Sequence, residues 1–424
     1  MVRGPALLPA SATPAAGLIV RARAMRGFAD GLVSVLLAVH LSRLGLGPLE
    51  VGAIVTGTLV GSAALTLAVG LRGSQAQPRT VLLAACGLMF VTGLGFATTT
   101  AFIPLLLLAV VGTLNPSGGD VSVFLPTEQS HLAGEVGANE RPQLYARYNL
   151  AGALAGAVGA LAAGLPGLVS ERFDVDVATL ERMGFVVYAA VALGVARTYG
   201  RLPQALEVRT TARRRPLGQS RRTVLQLAAL FSVDSAASGL VVQSLLVLWL
   251  RLRFGLSVPA TAAVFFGSGL LAAASQLLAG RVAARVGLVR AMSYTHLPAN
   301  ALLIVAGLAP SAPLAVGALL LRALFSQMDV PARQAFVMAV VPPESRAAAA
   351  SVTNVPRSLA AAATPLVGGQ LLATGHLGWP LVLAGLAKVG YDLVLLWRFG
   401  SLAHDDDPRN VQPSRAGAPA PPPT

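Results

Sequence analysis

The chain reads as an all-α membrane protein, with twelve transmembrane helices in two parallel-related six-helix bundles. Three observations carry that reading. Hydrophobic residues make up 54% of the 424 and charged residues only 12%, which leaves a water-soluble fold nowhere to put its apolar surface. The apolar residues come in long blocks separated by short polar stretches, as membrane spans do. The front and back of the chain also repeat each other, at offsets of 205 to 211 residues.

Residues 1–25 are small and Pro-rich, with Arg21 and Arg23 just before the first apolar block, and are expected to be a disordered cytoplasmic tail without a cleavage site. Crossing about 30 Å of hydrocarbon takes roughly 18 to 25 apolar residues. The first bundle, 26–200, supplies six such runs at 27–44, 51–71, 80–96, 102–125, 144–165 and 183–199. A basic linker follows at 201–222, held near anionic headgroups. The second bundle, 223–399, supplies runs at 224–250, 260–282, 291–308, 314–337, 347–372 and 379–397, and a Pro-rich tail, 400–424, closes the chain. Pro116, Gly118 and Gly119 interrupt the fourth run and Pro331 the tenth. Such breakers are tolerated where neighbouring helices or a water-filled cavity satisfy the freed backbone groups.

The formal charge of +14 could point to nucleic acid, but its placement points to topology. With both termini cytoplasmic, the inner loops collect Arg72, Arg79, Arg141, Arg147, Arg281, Arg285, Arg290 and Arg346, and the linker adds six arginines between Arg209 and Arg222. The outer loops keep only Arg43, Arg172, Arg182, Arg251 and Arg253, as the positive-inside rule requires. Aromatic residues are too sparse for base stacking, so no nucleic-acid partner is expected. Cys86 is the only cysteine, which rules out an intrachain disulfide and a cysteine-based zinc site.

The repeat is collinear. GLV at Gly31 returns at Gly239, RLGL at Arg43 returns as RFGL at Arg253, Gly70 answers Gly280, and Asp120-Val121 answers Asp329-Val330. Asn149 and Asn354 each follow a charged loop. An even number of spans per half gives both halves the same orientation, related by an axis along the membrane normal.

Twelve spans, parallel halves, a basic central loop and cytoplasmic ends together resemble the major facilitator superfamily of secondary transporters. The stretch GRVAARVGLVR, 280–290, is similar to that family's G-x-L-A-D-R-x-G-R loop, with Gly280, Val282, Ala283, Arg285 and Gly287 in register and Ala284 in place of the Asp. ATPLVGG, 363–369, resembles the antiporter signature G-P-x-x-G-G, although the family carries that signature in the fifth span. The fifth span here has GALAGAVGALAAG instead, and both stretches also suit close helix packing. The resemblance implies alternating access around a cavity lined by the first, fourth, seventh and tenth helices. It also implies gating by the 280–290 loop, involving Gly280, Arg285 and Gly287.

A charge inside the bilayer is a functional candidate by default. Arg322 sits near mid-depth in the tenth span, with Thr113 at its place in the first half. It is expected to pair with a carboxylate such as Asp329, with an anionic substrate, or statically with a packing partner. Asp120 and Asp329 lie symmetrically toward the cytoplasmic ends as gating candidates, and Asp329 reaches Arg333 at the i, i+4 spacing. Asp30 and Asp234, early in the first and seventh spans, are substrate or coupling candidates. A carboxylate in an apolar cavity can carry a proton near neutral pH. The shallow place of Asp30 makes a pair with Arg26 the stronger expectation. Lys388 and Asp392 share a helix face at i, i+4 and are expected to neutralise each other. Asn149, Asn354 and Gln243 either bond a solute or bind helices together.

No phosphate-binding G-x-x-x-x-G-K-[ST] loop, paired metal-ligand spacing or usable nucleophile elbow occurs. No enzyme activity, cofactor or metal is expected. The functional expectation is a secondary active transporter moving a small molecule, coupled to protons and directed toward export, in the inner membrane. Its partners are that solute, protons and the lipid bilayer, and a monomer suffices. The alternative is a membrane sensor or scaffold that retains the fold without transporting.

Overall fold

A computed structural model of the chain describes residues 8–9, 11–72, 77–117, 123–132, 134–137, 140–203, 221–341 and 345–400. Helices α1 (Pro14–Arg43), α2 (Pro48–Arg72), α3 (Pro78–Thr98), α4 (Phe102–Val111), α5 (Phe124–Leu132), α6 (Arg141–Ala162), α7 (Leu165–Phe173) and α8 (Val177–Tyr199) form the first half. The second half holds α9 (Arg221–Leu240), α10 (Gln243–Phe254), α11 (Val258–Val286), α12 (Leu288–Leu308), α13 (Ala312–Phe325), α14 (Asp329–Ala339), α15 (Arg346–Ala363), α16 (Pro365–Ala373) and α17 (Trp379–Phe399). Joining α4 to α5, α6 to α7, α9 to α10, α13 to α14 and α15 to α16 leaves runs consistent with the expected twelve. Nine helices among the described residues are long and apolar enough to cross a membrane.

Helix α1 begins at Pro14, inside the segment 1–25 expected to be disordered. Thr13 caps it by accepting from the Ala16 amide, and Pro14 at the first helical position gives up only an amide that would have had no partner. Ala15, Ala16, Ile19 and Ala22 are then buried, so packing rather than hydropathy extends the helix. Linker residues 204–220 and the tail 401–424 lie outside the described residues.

The discontinuous spans break where local chemistry asks for it. Between α15 and α16 the break falls at Thr364, because Pro365 cannot donate to the helix before it. In the tenth span the break is Ser326–Met328, upstream of Pro331. Pro331 itself lies in the first turn of α14, where a missing amide is tolerated.

Lipid offers no hydrophobic drive for helices to associate, so close approach must supply the attraction. Within the first half, α1 lies on α6 with Gly27 against Gly152 and Gly31 against Gly156, so close that a Cβ on Gly27 or Gly31 would overlap the facing backbone. This packing is what GALAGAVGALAAG does. One core cluster takes residues from both halves, among them Leu36, Leu37, Val55, Leu105, Leu245, Leu248 and Leu303. Toward the side bearing Pro14 and Phe399, here the terminal side, the halves hold separate cores. One is built around Ile19, Phe124, Tyr148 and Tyr199 and the other around Phe231, Phe336, Tyr391 and Phe399.

Candidate functional site

The halves are joined from mid-depth to the distal side by a seal of polar and backbone contacts. Val241 and Val242 separate α9 from α10, which frees Gln243 at the start of α10 to donate to Ser34 Oγ on α1 at 2.7 Å. The next residue, Ser244, donates its hydroxyl to the Ser34 carbonyl at 2.7 Å and its amide to the Pro116 carbonyl at 3.1 Å. Further out, the Leu366 amide donates to Thr56 Oγ1 at 2.9 Å, and a Cβ built on Gly52 would stand 3.0 Å from Gly369 Cα. The signature-like ATPLVGG stretch therefore packs the two halves together. At the distal rim Glu181 is fully buried and accepts from Arg43 Nε at 3.0 Å, with His40 Nδ1 3.6 Å away.

On the terminal side of the seal each half carries a buried charge cluster. In the first half, Glu128 on α5 accepts from Arg26 of α1 and from the hydroxyls of Tyr148 and Tyr199. The Arg26 guanidinium also lies 4.3 Å from the centre of the Phe124 ring. The expected Arg26–Asp30 pair is thus corrected: Arg26 pairs with Glu128. Asp30 is buried and hydrogen-bonded to Asn115, within electrostatic reach of Arg26 and Arg23. Because α1 starts at Pro14, Asp30 lies about 24 Å along a 30-residue helix, at its middle rather than near its end. Glu128 escaped the sequence reading because it falls just past the expected 102–125 span, in a stretch that reads as loop. Among the three acids between those apolar runs, Glu128, Glu135 and Glu140, it is the one next to the end of the span.

In the second half, Asp234 on α9 accepts from Lys388 Nζ on α17 at 2.6 Å and from Arg333 Nη1 on α14 at 3.2 Å. Arg333 also reaches Asp329 at 3.5 Å, the expected i, i+4 pair. The expected Lys388–Asp392 pair is corrected: Asp392 instead takes His296 Nδ1 at 3.1 Å and the Asn300 amide at 2.9 Å, both from α12. The helix spacing was right, but carboxylates from neighbouring helices offer each side chain a closer partner. His296 then stands between two acids, with Nε2 3.9 Å from Asp234. Arg357 Nε donates to Ser235 on α9 at 2.8 Å.

Other sequence candidates fall apart from these clusters. Asn149 is half-buried and Asn354 exposed, and Gln243 belongs to the seal. In the 280–290 loop, Gly287 has a φ of 83° and turns α11 into α12, a conformation that favours glycine. Arg285 is exposed and Gly280 has open space around it. Asp120 and Arg209 to Arg215 lie outside the described residues.

Buried ion pairs thus join the first span to the fourth and the seventh to the tenth, beside an interface between the halves sealed on one face. The sequence profile of the Major Facilitator Superfamily matches residues 227–422. An uncharacterized membrane protein of Saccharomyces cerevisiae is 24% identical over 410 residues, covering 88% of this chain and 92% of its own. The structure is similar to the D-xylose-proton symporter, with a TM-score of 0.69, 14% identity and coverage of 90% of this chain and 97% of the other. It is also similar to the nucleoside transporter NupG, with a TM-score of 0.66, 13% identity and coverage of 92% and 99%. A third likeness is the human organic anion transporter MFSD10, with a TM-score of 0.61, 16% identity and coverage of 90% and 100%. The profile match over residues 227–422 and the shared fold are likenesses to transporters of the major facilitator superfamily, and the nine long apolar helices among the described residues mark a multi-pass membrane protein.

Proposed function

We propose that this chain is a proton-coupled secondary transporter of the inner membrane, with both termini in the cytoplasm, that exports a small organic solute by alternating access. The observation that carries the reading is the asymmetry of packing: one shared core toward the distal side and separate cores toward the termini. Two rigid halves joined at one end can rock about that junction, and charges held at mid-depth are then exposed alternately to the two sides.

Asp234 is the coupling carboxylate in this reading. Protonating it would release Lys388 and Arg333 together, which loosens α9 from α14 and α17 in one event. The pair of Arg333 and Asp329 is the terminal-side gate, with Asp120 as its counterpart. The fold relative that is a proton symporter makes protons the first coupling ion to test.

Purified protein in proteoliposomes, loaded with radiolabelled solutes from a screen in a strain lacking the protein, supplies the test. Flux that follows an imposed pH gradient and collapses with an uncoupler supports the reading. A fold retained only as sensor or scaffold gives no flux with any solute.

A further inference from the structure

We infer that Arg322 is an anion receptor, so that the transported solute carries a carboxylate or phosphate-type group. The inference rests on the transport reading above and names the substrate class of that site. Arg322 lies about 15 Å along α13 from Ala312, at mid-bilayer. It stands within electrostatic reach of Asp234 and Asp329, which places it on the cluster side of its helix.

Both of those acids are committed elsewhere. Asp234 is held by Lys388 at 2.6 Å and Arg333 at 3.2 Å, and Asp329 by Arg333 at 3.5 Å. The third acid of the cluster, Asp392, is taken by His296 and Asn300. Arg322 makes no ion pair with any described residue, and its Nε is shut from solvent without a hydrogen-bond acceptor. The expectation that it pairs with Asp329 is thereby corrected.

A guanidinium left unpaired at this depth is costly, and burial of an arginine is ordinarily compensated by a carboxylate or phosphate. Its planar fork matches the two oxygens of such a group, and that match is weaker for a hydroxyl or an amide. The Ser326–Met328 break, one turn along the same span, frees backbone groups at the same level, as substrate-binding spans of transporters do. A bound anion would give Arg322 the partner that the protein withholds, and would leave the Asp234 network intact for the proton.

The test is a head-group series on constant skeletons. Benzoate, phenyl phosphate, benzamide and benzylammonium, and the same four head groups on an octyl chain, are titrated against purified protein in nanodiscs while the Tm is followed. One or both anions are expected to raise the Tm saturably, and the better of the two separates a carboxylate from a phosphate site. Arg322→Gln should abolish the shift, and Arg322→Lys, which keeps the charge and loses the fork, should weaken it at least tenfold in apparent Kd. The wild-type series stands even if Arg322→Gln fails to fold. Shifts that are equal for neutral and anionic head groups, absent for every anion, or unchanged in a folded Arg322→Gln overturn the inference. Flux of neutral solutes indifferent to head group would sink it while leaving transport intact, whereas an anion shift without any flux would do the reverse.

Discussion

Arg26 and Asp234 occupy the same place in the two halves, 208 residues apart like Gly31 and Gly239, and carry opposite charges. Each is paired with a residue of the opposite sign on the second piece of a broken span: Arg26 with Glu128 on α5, and Asp234 with Arg333 on α14. The repeat thus preserves the interaction between first and fourth spans while reversing its polarity. The second half adds Lys388 and Arg322 as cations and Asp329 and Asp392 as acids.

The Arg26–Glu128 pair should be structural in its cost. Arg26→Gln leaves a fully buried carboxylate without its cation and should destabilise by about 3–5 kcal/mol, the range for breaking a buried pair. The double variant Arg26→Gln, Glu128→Gln should recover a large part of that loss. Thermal melting of the three proteins in detergent checks it, and a double variant as unstable as Arg26→Gln would contradict it.

Asp234→Asn should separate coupling from binding. It keeps the shape of the acceptor and removes the titrating group, so gradient-driven accumulation should fall by about a hundredfold or more, in the range for loss of a positioned proton-transfer group. Solute counterflow, which needs no net proton movement, should persist. Loss of both in a protein that still folds would assign Asp234 to structure instead.

The distal seal should yield to a wedge. A Cβ at Gly52 would lie 2.8 Å from the Pro365 carbonyl and 3.0 Å from Gly369 Cα, so Gly52→Leu should force the halves apart at that end. Spin labels at Leu49 and Trp379, both exposed, in a Cys86→Ser background should report a longer distance in Gly52→Leu. An unchanged distance distribution would count against the seal.

Asp176 provides a pH test outside the membrane. It caps α8 by accepting from the Thr179 hydroxyl and amide and the Ala178 amide, and these bonds hold its carboxyl below the usual carboxylate range. A group with a lowered folded pKa stabilises above its unfolded value of about 3.9, and the effect fades as pH falls toward the folded value. The Tm difference between wild type and Asp176→Ala should therefore be full at neutral pH and shrink below about pH 4. A difference that grows on acidification would reverse the sign and refute the cap.

Sequence alone determined that the chain is a multi-pass helical membrane protein, because the bilayer imposes a simple rule: each crossing needs an apolar run of fixed length. It also marked Arg322, Asp30 and Asp234 as costly, and the i, i+4 spacing of Asp329 and Arg333 predicted a contact within a single helix. Partners between helices were decided by tertiary structure. Lys388 and Asp392 share a helix face, yet Asp234 and His296 arrive from α9 and α12 at shorter range. Glu128 became visible only once α5 folded against α1, and Arg322 stood out only once the packing had assigned its neighbouring acids to other cations. Charge pairing in a low-dielectric interior depends on ångström-scale distance between elements remote in the chain, and neither composition nor periodicity encodes that distance.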